Sequence, residues 1–170
     1  ERLSYSLLNK YIDFNSIQTK LINMYGLTEM TVHATFYPVH PHHDMTKNRI
    51  GHLLPGMSGL LLDQALQPVP QGIVGELCLT GRTMTTGYLN QEPLNQQKFI
   101  PFQLEKEQRL TLYRTGDLAK WKTKHGLTYY GRNDLQIKLQ GYRIELEEID
   151  QKLCQLPVVQ SAKTILIKEQ

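Results

Sequence analysis

The chain has 170 residues, 40% of them hydrophobic, with a formal charge of +3 and 21% charged side chains. That is enough for one core of ordinary size with a small appendage, and it excludes a disordered tail; the scattered basic residues argue against nucleic acid as a partner, and no apolar run is long enough to span a membrane. The two cysteines, Cys78 and Cys154, lie far apart in no CxxC pattern, which points to reduced, core-filling thiols in a cytoplasmic protein.

Taken in order, Ser4 to Phe14 reads as a helix with Ser4 as N-cap and Leu7, Leu8, Tyr11 and Ile12 as its buried stripe. Lys20 to Asn23 is a short strand candidate, and Thr31 to Phe36 has strand-like composition. The loop between them holds Tyr25, Gly26, Thr28 and Glu29. An aromatic, a hydroxyl and a carboxylate at a strand end suit a ligand, although taken alone an ordinary polar turn accounts for them better. His40, His42, His43 and Asp44, with His33 and His52 nearby, are of metal-ligand type. Their spacing matches no recognised pattern, and Pro38 and Pro41 mark an irregular, solvated connection instead.

From Arg49 to about Tyr130 short strand candidates alternate with turn residues: Gly59–Leu62, then Pro68, Pro70 and Gly72, then Ile73–Leu79. This favours a small barrel or sandwich that serves as scaffold. Asp117, after Gly116, reads as a turn former. Near the C-terminus the period changes twice. Leu135, Ile137 and Leu139 alternate with Gln136, Lys138 and Gln140, as in a strand with one buried and one wet face, and Gly141 then breaks the phase before Tyr142, Ile144 and Leu146. A hairpin follows from this. Leu146, Ile149, Leu153 and Leu156 next fall on one helical face, with Glu147, Glu148 and Asp150 near the helix N-terminus and Pro157 ending the helix. Val158 to Ile167 reads as one more strand. Glu1 stands in place of a start methionine and the chain stops after an apolar run, so it reads as a fragment.

A hairpin feeding a helix does not call for Arg132, Asp134, Lys138 and Arg143. With them, Gly131 to Asp150 resembles the segment joining the large and small subdomains of adenylate-forming enzymes, in particular the adenylation domains of nonribosomal peptide synthetases. Asn23 to Glu29 is similar to that family's Asn-x-Tyr-Gly-Pro-Thr-Glu motif, with Leu27 in place of proline. Gly75-Glu76-Leu77, Gly87-Tyr88-Leu89 and Tyr113-Arg114-Thr115-Gly116-Asp117-Leu118 resemble further family motifs in family order, although Arg82 to Thr86 departs from the usual linker.

The resemblance implies a mixed α/β and α+β fold: residues 1–133 as the C-terminal part of the large subdomain, with a barrel-like region over about 49–130, and residues 134–170 as hinge and first part of the small C-terminal subdomain. It implies ATP and Mg2+ as cofactors, an amino acid as substrate, and phosphopantetheine on a partner peptidyl carrier domain. By the same resemblance Asn23 and Tyr25 serve the adenine, Tyr129 packs near the ribose and adenine with core packing as its alternative, Asp117 holds the ribose, Thr28 a phosphate oxygen, Glu29 the metal, and Arg132 the nucleotide. Met24, Val32 and His33 line the substrate pocket, with packing as the alternative for Met24 and Val32. Asp134 is the hinge, and the loop with Lys138 and Gly141 faces the thiol. The family's upstream phosphate loop and late lysine are absent, so these residues alone are expected to be inactive without the remainder of the adenylation domain. D-alanine–carrier protein ligase is the closest rival, since Glu147 stands where many peptide synthetases have glycine; other acyl-adenylate-forming ligases are rivals too, though acyl-CoA synthetases fit less well because they usually carry Val-x-Pro where this chain has Ile144-Glu145-Leu146. A degenerate, non-catalytic module is a further alternative, given Leu27, Gln140 and the rewritten linker; Glu29 and Asp117 argue against it.

Overall fold

The computed structural model describes residues 3, 20–40, 47–103, 109–134, 136–139 and 142–167. The helix expected over Ser4 to Phe14 and the core of the histidine-rich loop, with His42, His43 and Asp44, lie outside these residues, as do Leu135, Gln140 and Gly141. The chain divides into two compact units, one covering residues 2–131 and the other consisting of residues 132–170 with Glu1.

The larger unit is β-rich, as the turn-punctuated sequence implies. Its strands are β1 (Leu21–Tyr25), β2 (Thr35–Val39), β3 (Arg49–Leu53), β4 (Met57–Leu62), β5 (Val74–Gly81), β6 (Phe99–Gln103), β7 (Arg109–Lys122) and β8 (Gly126–Arg132), with one short helix, α1 (Glu92–Lys98). They form one sheet in the order β1-β2-β3-β8-β7-β5-β4, with β6 on β7. The path is open, with β1 at one end and β4 at the other, so the barrel-like region is not a closed barrel.

Strand β5 organises the core because both its faces are covered. Gly75 to Leu79 are all buried. Leu77 and Leu79 pack with Met30, Ala34, Ile50, Ala119 and Leu127. Cys78, pointing the other way as strand alternation requires, packs with Leu62, Ile100 and Leu112. Burial, and secondarily the neighbouring Glu76 carboxylate, pushes the Cys78 thiol up to about 12. A thiol that neither ionises nor meets solvent is a poor nucleophile. In native protein at pH 8, Cys78 should therefore resist iodoacetamide until denaturant is added. Equal rates of alkylation before and after denaturation, read by peptide mapping, would contradict this packing.

One expectation for this unit needs correction. Thr31 to Ala34 are not strand; β2 begins at Thr35. Thr31 and Val32 have φ of 54° and 79°, which turns the chain back toward β1.

The smaller unit contains the expected hairpin. Strands β9 (Gln136–Leu139) and β10 (Tyr142–Glu145) pair antiparallel with Leu139 opposite Tyr142. One polar position departs from the expected alternation: Gln136 is buried rather than solvated. The reason is polar: its backbone N–H donates to Asp134 Oδ1 at 3.2 Å, and its side-chain amide donates to Glu145. Helix α2 (Leu146–Cys154) stops before Pro157, so Leu156 lies beyond it. Of its apolar stripe only Leu146 is buried; Ile149, Leu153 and Leu156 are exposed, because none of the described residues covers that face. Residues 158–167 form no strand, having no ladder partner among the described residues. They are tied to α2 through the Asp150 carboxylate, which accepts from the Thr164 backbone N–H and from Lys163.

Candidate functional site

The site candidates of the larger unit are gathered by two devices, a loop and a bulge. The loop joins β1 to β2. Residues 21, 23 and 25 of β1 share one half-buried face, which places Asn23 and Tyr25 together, while Ile22 and Met24 point the other way and are exposed. Beyond Tyr25, Thr28–Met30 form a single 3₁₀ turn. The chain then comes back so close that a Cβ on Gly26 would meet the Val32 carbonyl oxygen at 1.5 Å, so only glycine fits there. Bonds from Ala34 N–H to Tyr25 O at 2.9 Å and from Val32 N–H to Leu27 O at 3.2 Å close the loop. This fold buries Glu29, leaves Thr28 exposed, and holds β-branched Val32 at positive φ. Positive φ at a β-branched residue is strained and is maintained by the contacts around it.

The bulge lies in β7. Cys78 pairs with Arg114 and Glu76 with Leu118, so three residues, Thr115, Gly116 and Asp117, stand opposite Leu77 alone. Gly116 takes φ of 74°, which favours glycine. The bulge brings Asp117 to β1, where the Tyr25 hydroxyl donates to its Oδ2 at 2.5 Å. Tyr129 on β8 completes this corner, its ring 6.5 Å from that of Tyr25 and tilted 40°. Asn23 donates its side-chain N–H to the Arg49 carbonyl at 2.6 Å, which sets the orientation of the amide.

Glu29 is held from a third direction. Tyr88 donates its hydroxyl to Glu29 Oε1, and the Tyr113 hydroxyl stands 3.1 Å from that of Tyr88. Because the Tyr88 proton is committed to the carboxylate, Tyr113 is the donor of this second bond. Burial and the Glu29 hydrogen bond both raise the Tyr88 pKa, so the phenol stays protonated. The Tyr88 backbone is fixed on both sides by Asn95, whose Oδ1 accepts from Tyr88 N–H at 2.7 Å and whose Nδ2 donates to Tyr88 O at 2.9 Å. Its ring meets Phe99 edge-on at 5.8 Å. The segment preceding Tyr88 is docked on the same loop by Thr31 Oγ1 donating to Thr83 O at 2.7 Å and Thr85 N–H donating to Glu29 O at 2.9 Å.

Thus Tyr25, Asp117 and Tyr129 come together, Asn23 lies on the Tyr25 face of β1, and Thr28 and Glu29 follow Tyr25 in one loop. Met24, Val32 and His33 are all exposed, so core packing does not account for Met24 and Val32. In the smaller unit, Arg132 grips Asp134 with two nitrogens, Nε to Oδ1 at 2.6 Å and Nη2 to Oδ2 at 2.7 Å. The Lys138 side chain and Gly141 lie outside the described residues. No group of three or more His, Cys, Asp or Glu that suits a metal occurs among the described residues; His52 instead meets Trp121 edge-on at 6.1 Å.

Sequence reading missed Tyr88, Tyr113, Glu76 and Arg114, assigning the stretches around Glu76 and Tyr88 to scaffold. A carboxylate inside the apolar run Val74 to Leu79 was the available signal, because a buried charge requires a partner.

Relatives of the chain are themselves informative. It is 45% identical to bacitracin synthase 1 of Bacillus licheniformis over 135 residues, which is 79% of this chain and 2% of that protein. It is 40% identical to a dimodular nonribosomal peptide synthase of Bacillus subtilis (strain 168) over 157 residues, 89% of this chain and 6% of that one. Among solved structures, PA1221, an NRPS protein containing adenylation and PCP domains, matches with a TM-score of 0.84 at 28% identity, covering 100% of this chain and 34% of its own. The chain therefore spans a small share of the relatives it matches, and the resemblance to peptide-synthetase adenylation domains drawn from its motifs is borne out. No helix among the described residues is long and apolar enough to cross a membrane. The model of the AMP-binding enzyme family matches residues 1–89, more than half of the 170 residues, and the chain belongs to that family.

Proposed function

We propose that the full-length protein activates an amino acid with MgATP and passes the aminoacyl group to a phosphopantetheine thiol on a carrier domain. The observation that carries this reading is Asp117, lifted out of β7 by the bulge and set against Tyr25 in a chain of the AMP-binding family. A carboxylate beside an aromatic pair suits a nucleoside: Asp117 accepts from O2′ and O3′ of the ribose, while Tyr25 and Tyr129 offer ring faces to the base and Asn23 offers its amide to the adenine edge.

Thr28, exposed at the start of the 3₁₀ turn, donates to a phosphate oxygen. Glu29 fits a magnesium ion by donor chemistry, since one buried carboxylate is a usual protein share when phosphates and water supply the other ligands. When bound, that cation neutralises phosphate charge. The residues of the chain do the rest by positioning: an amino-acid carboxylate oxygen bonds to the α-phosphorus as the bond to pyrophosphate breaks, and Arg132 contributes a cationic contact to the nucleotide. Met24, Val32 and His33 face the amino-acid side chain. Asp134 is the hinge between the larger and smaller subdomains, and the loop with Lys138 and Gly141 serves the second half-reaction at the thiol.

The test is amino-acid-dependent exchange of labelled pyrophosphate into ATP by the full-length protein over a panel of amino acids. One or a few amino acids should support exchange well above the amino-acid-free rate. Exchange with none of them would remove the reading.

A further inference from the structure

The bulge that presents Asp117 does not hold itself. Thr115, Gly116 and Asp117 have lost their regular ladder partners on β5, and side chains replace them. Glu76 Oε1 accepts from the Gly116 N–H at 3.2 Å, Thr115 Oγ1 accepts from the Asp117 N–H at 3.0 Å, and the same Thr115 hydroxyl donates to Leu77 O at 2.7 Å. The other oxygen of Glu76, Oε2, is gripped by Arg114, from Nη2 at 2.7 Å and from Nε at 3.2 Å. Glu76 is 6% exposed, so its charge is kept inside the protein at a desolvation cost that Arg114 offsets. An apolar residue at 76 would fill the strand but leave the Gly116 N–H without its acceptor.

We propose that Glu76 and Arg114 are positioning residues that clasp the bulge so that Asp117 is aimed at the nucleotide ribose. Neither touches the nucleotide; they act through Gly116 and the backbone. This rests on the reading of Asp117 as the ribose ligand, and the experiment separates the two.

Full-length Glu76→Gln and Asp117→Asn are compared with wild type for pyrophosphate exchange on ATP and on 2′-deoxy-ATP, with thermal melts of each. A hydrogen bond from a ribose hydroxyl to a charged acceptor should give wild type a preference for ATP in kcat/KM of about tenfold. Glu76→Gln should bring that preference close to one, mainly through KM, because Gln restores neither the charge nor the grip of Arg114. A general loss of folded protein would lower both nucleotides alike and leave the ratio intact. If Glu76→Gln keeps the wild-type ratio while Asp117→Asn loses it, the clasp is wrong and the ribose assignment stands. If Asp117→Asn keeps the ratio, the ribose assignment fails and the clasp falls with it. Should Glu76→Gln not fold, Arg114→Lys, which keeps the charge but not the two-nitrogen grip, carries the same measurement, and an unchanged ratio there overturns the proposal.

Discussion

Full-length protein carrying Glu29→Gln should lose roughly a hundredfold in amino-acid-dependent pyrophosphate exchange, the equivalent of about 3 kcal/mol of charge interaction. The substitution is informative because it is nearly isosteric. Gln at 29 still offers an oxygen to the Tyr88 hydroxyl, and the backbone bond from Thr85 to residue 29 is untouched. What changes is the negative charge available to a hard cation. Magnesium titration should show half-maximal exchange displaced to higher concentration, and the melting temperature should move little. If instead Glu29 is only a hydrogen-bonded core residue, Gln would serve as well, and wild-type exchange with an unchanged magnesium dependence would remove the metal assignment.

The second large effect is expected at Asp134. Proline there fixes φ near −65° and restricts Asn133 too, so a segment required to reorient between half-reactions would be confined to a narrower set of positions. Adenylate formation should persist while transfer to the carrier domain falls by roughly tenfold or more, an orientation penalty of about 1.4 kcal/mol. The ion pair to Arg132 complicates the substitution, since proline also removes it. Asp134→Ala separates the effects: it removes the same ion pair but leaves φ unrestricted. The hinge role requires proline to damage carrier loading more than alanine does, with exchange similar in both. Equal losses in loading, or parallel losses in both half-reactions, would show that Asp134 matters through its side-chain contacts, such as those to Arg132 and Gln136, and not as a hinge.

Much of the candidate site could be proposed from sequence because motif residues lie close together in the chain. Tyr25 ends β1 and Thr28 and Glu29 follow it within four residues, and the period switches around Gly131 to Asp150 marked a hairpin and a helix that both exist. What the sequence did not expose depends on contacts between distant segments. Tyr88 reaches Glu29 across 59 positions, and Glu76 reaches Arg114 across 38. Ile73–Leu79 was legible as a strand candidate, but the polar groups brought opposite it were not. At Gln136 the pattern misled, because a two-residue repeat assigns every polar side chain to solvent while this one is buried against Glu145. The exposed stripe of α2 failed for another reason: amphipathic spacing identifies a face that needs cover, not whether cover lies within the described residues.

The insertion in β7 also bears on how the β5–β7 pairing is chosen during folding. It adds two residues, an even number, so odd-numbered residues of the two strands oppose each other on both sides of it: Leu79 with Tyr113, Gly75 with Ala119. Hydrophobic patterning penalises a one-residue slip heavily, since that turns every side chain over, but it is nearly blind to a slip of two. A misaligned ladder could keep its apolar parity while carrying Asp117 away from Tyr25. Gly116 and the Glu76 carboxylate are then what distinguish the two alignments. A chain weakened there would trap molecules that melt cooperatively, look folded by circular dichroism, and differ from the native form only in which β7 amides resist hydrogen exchange.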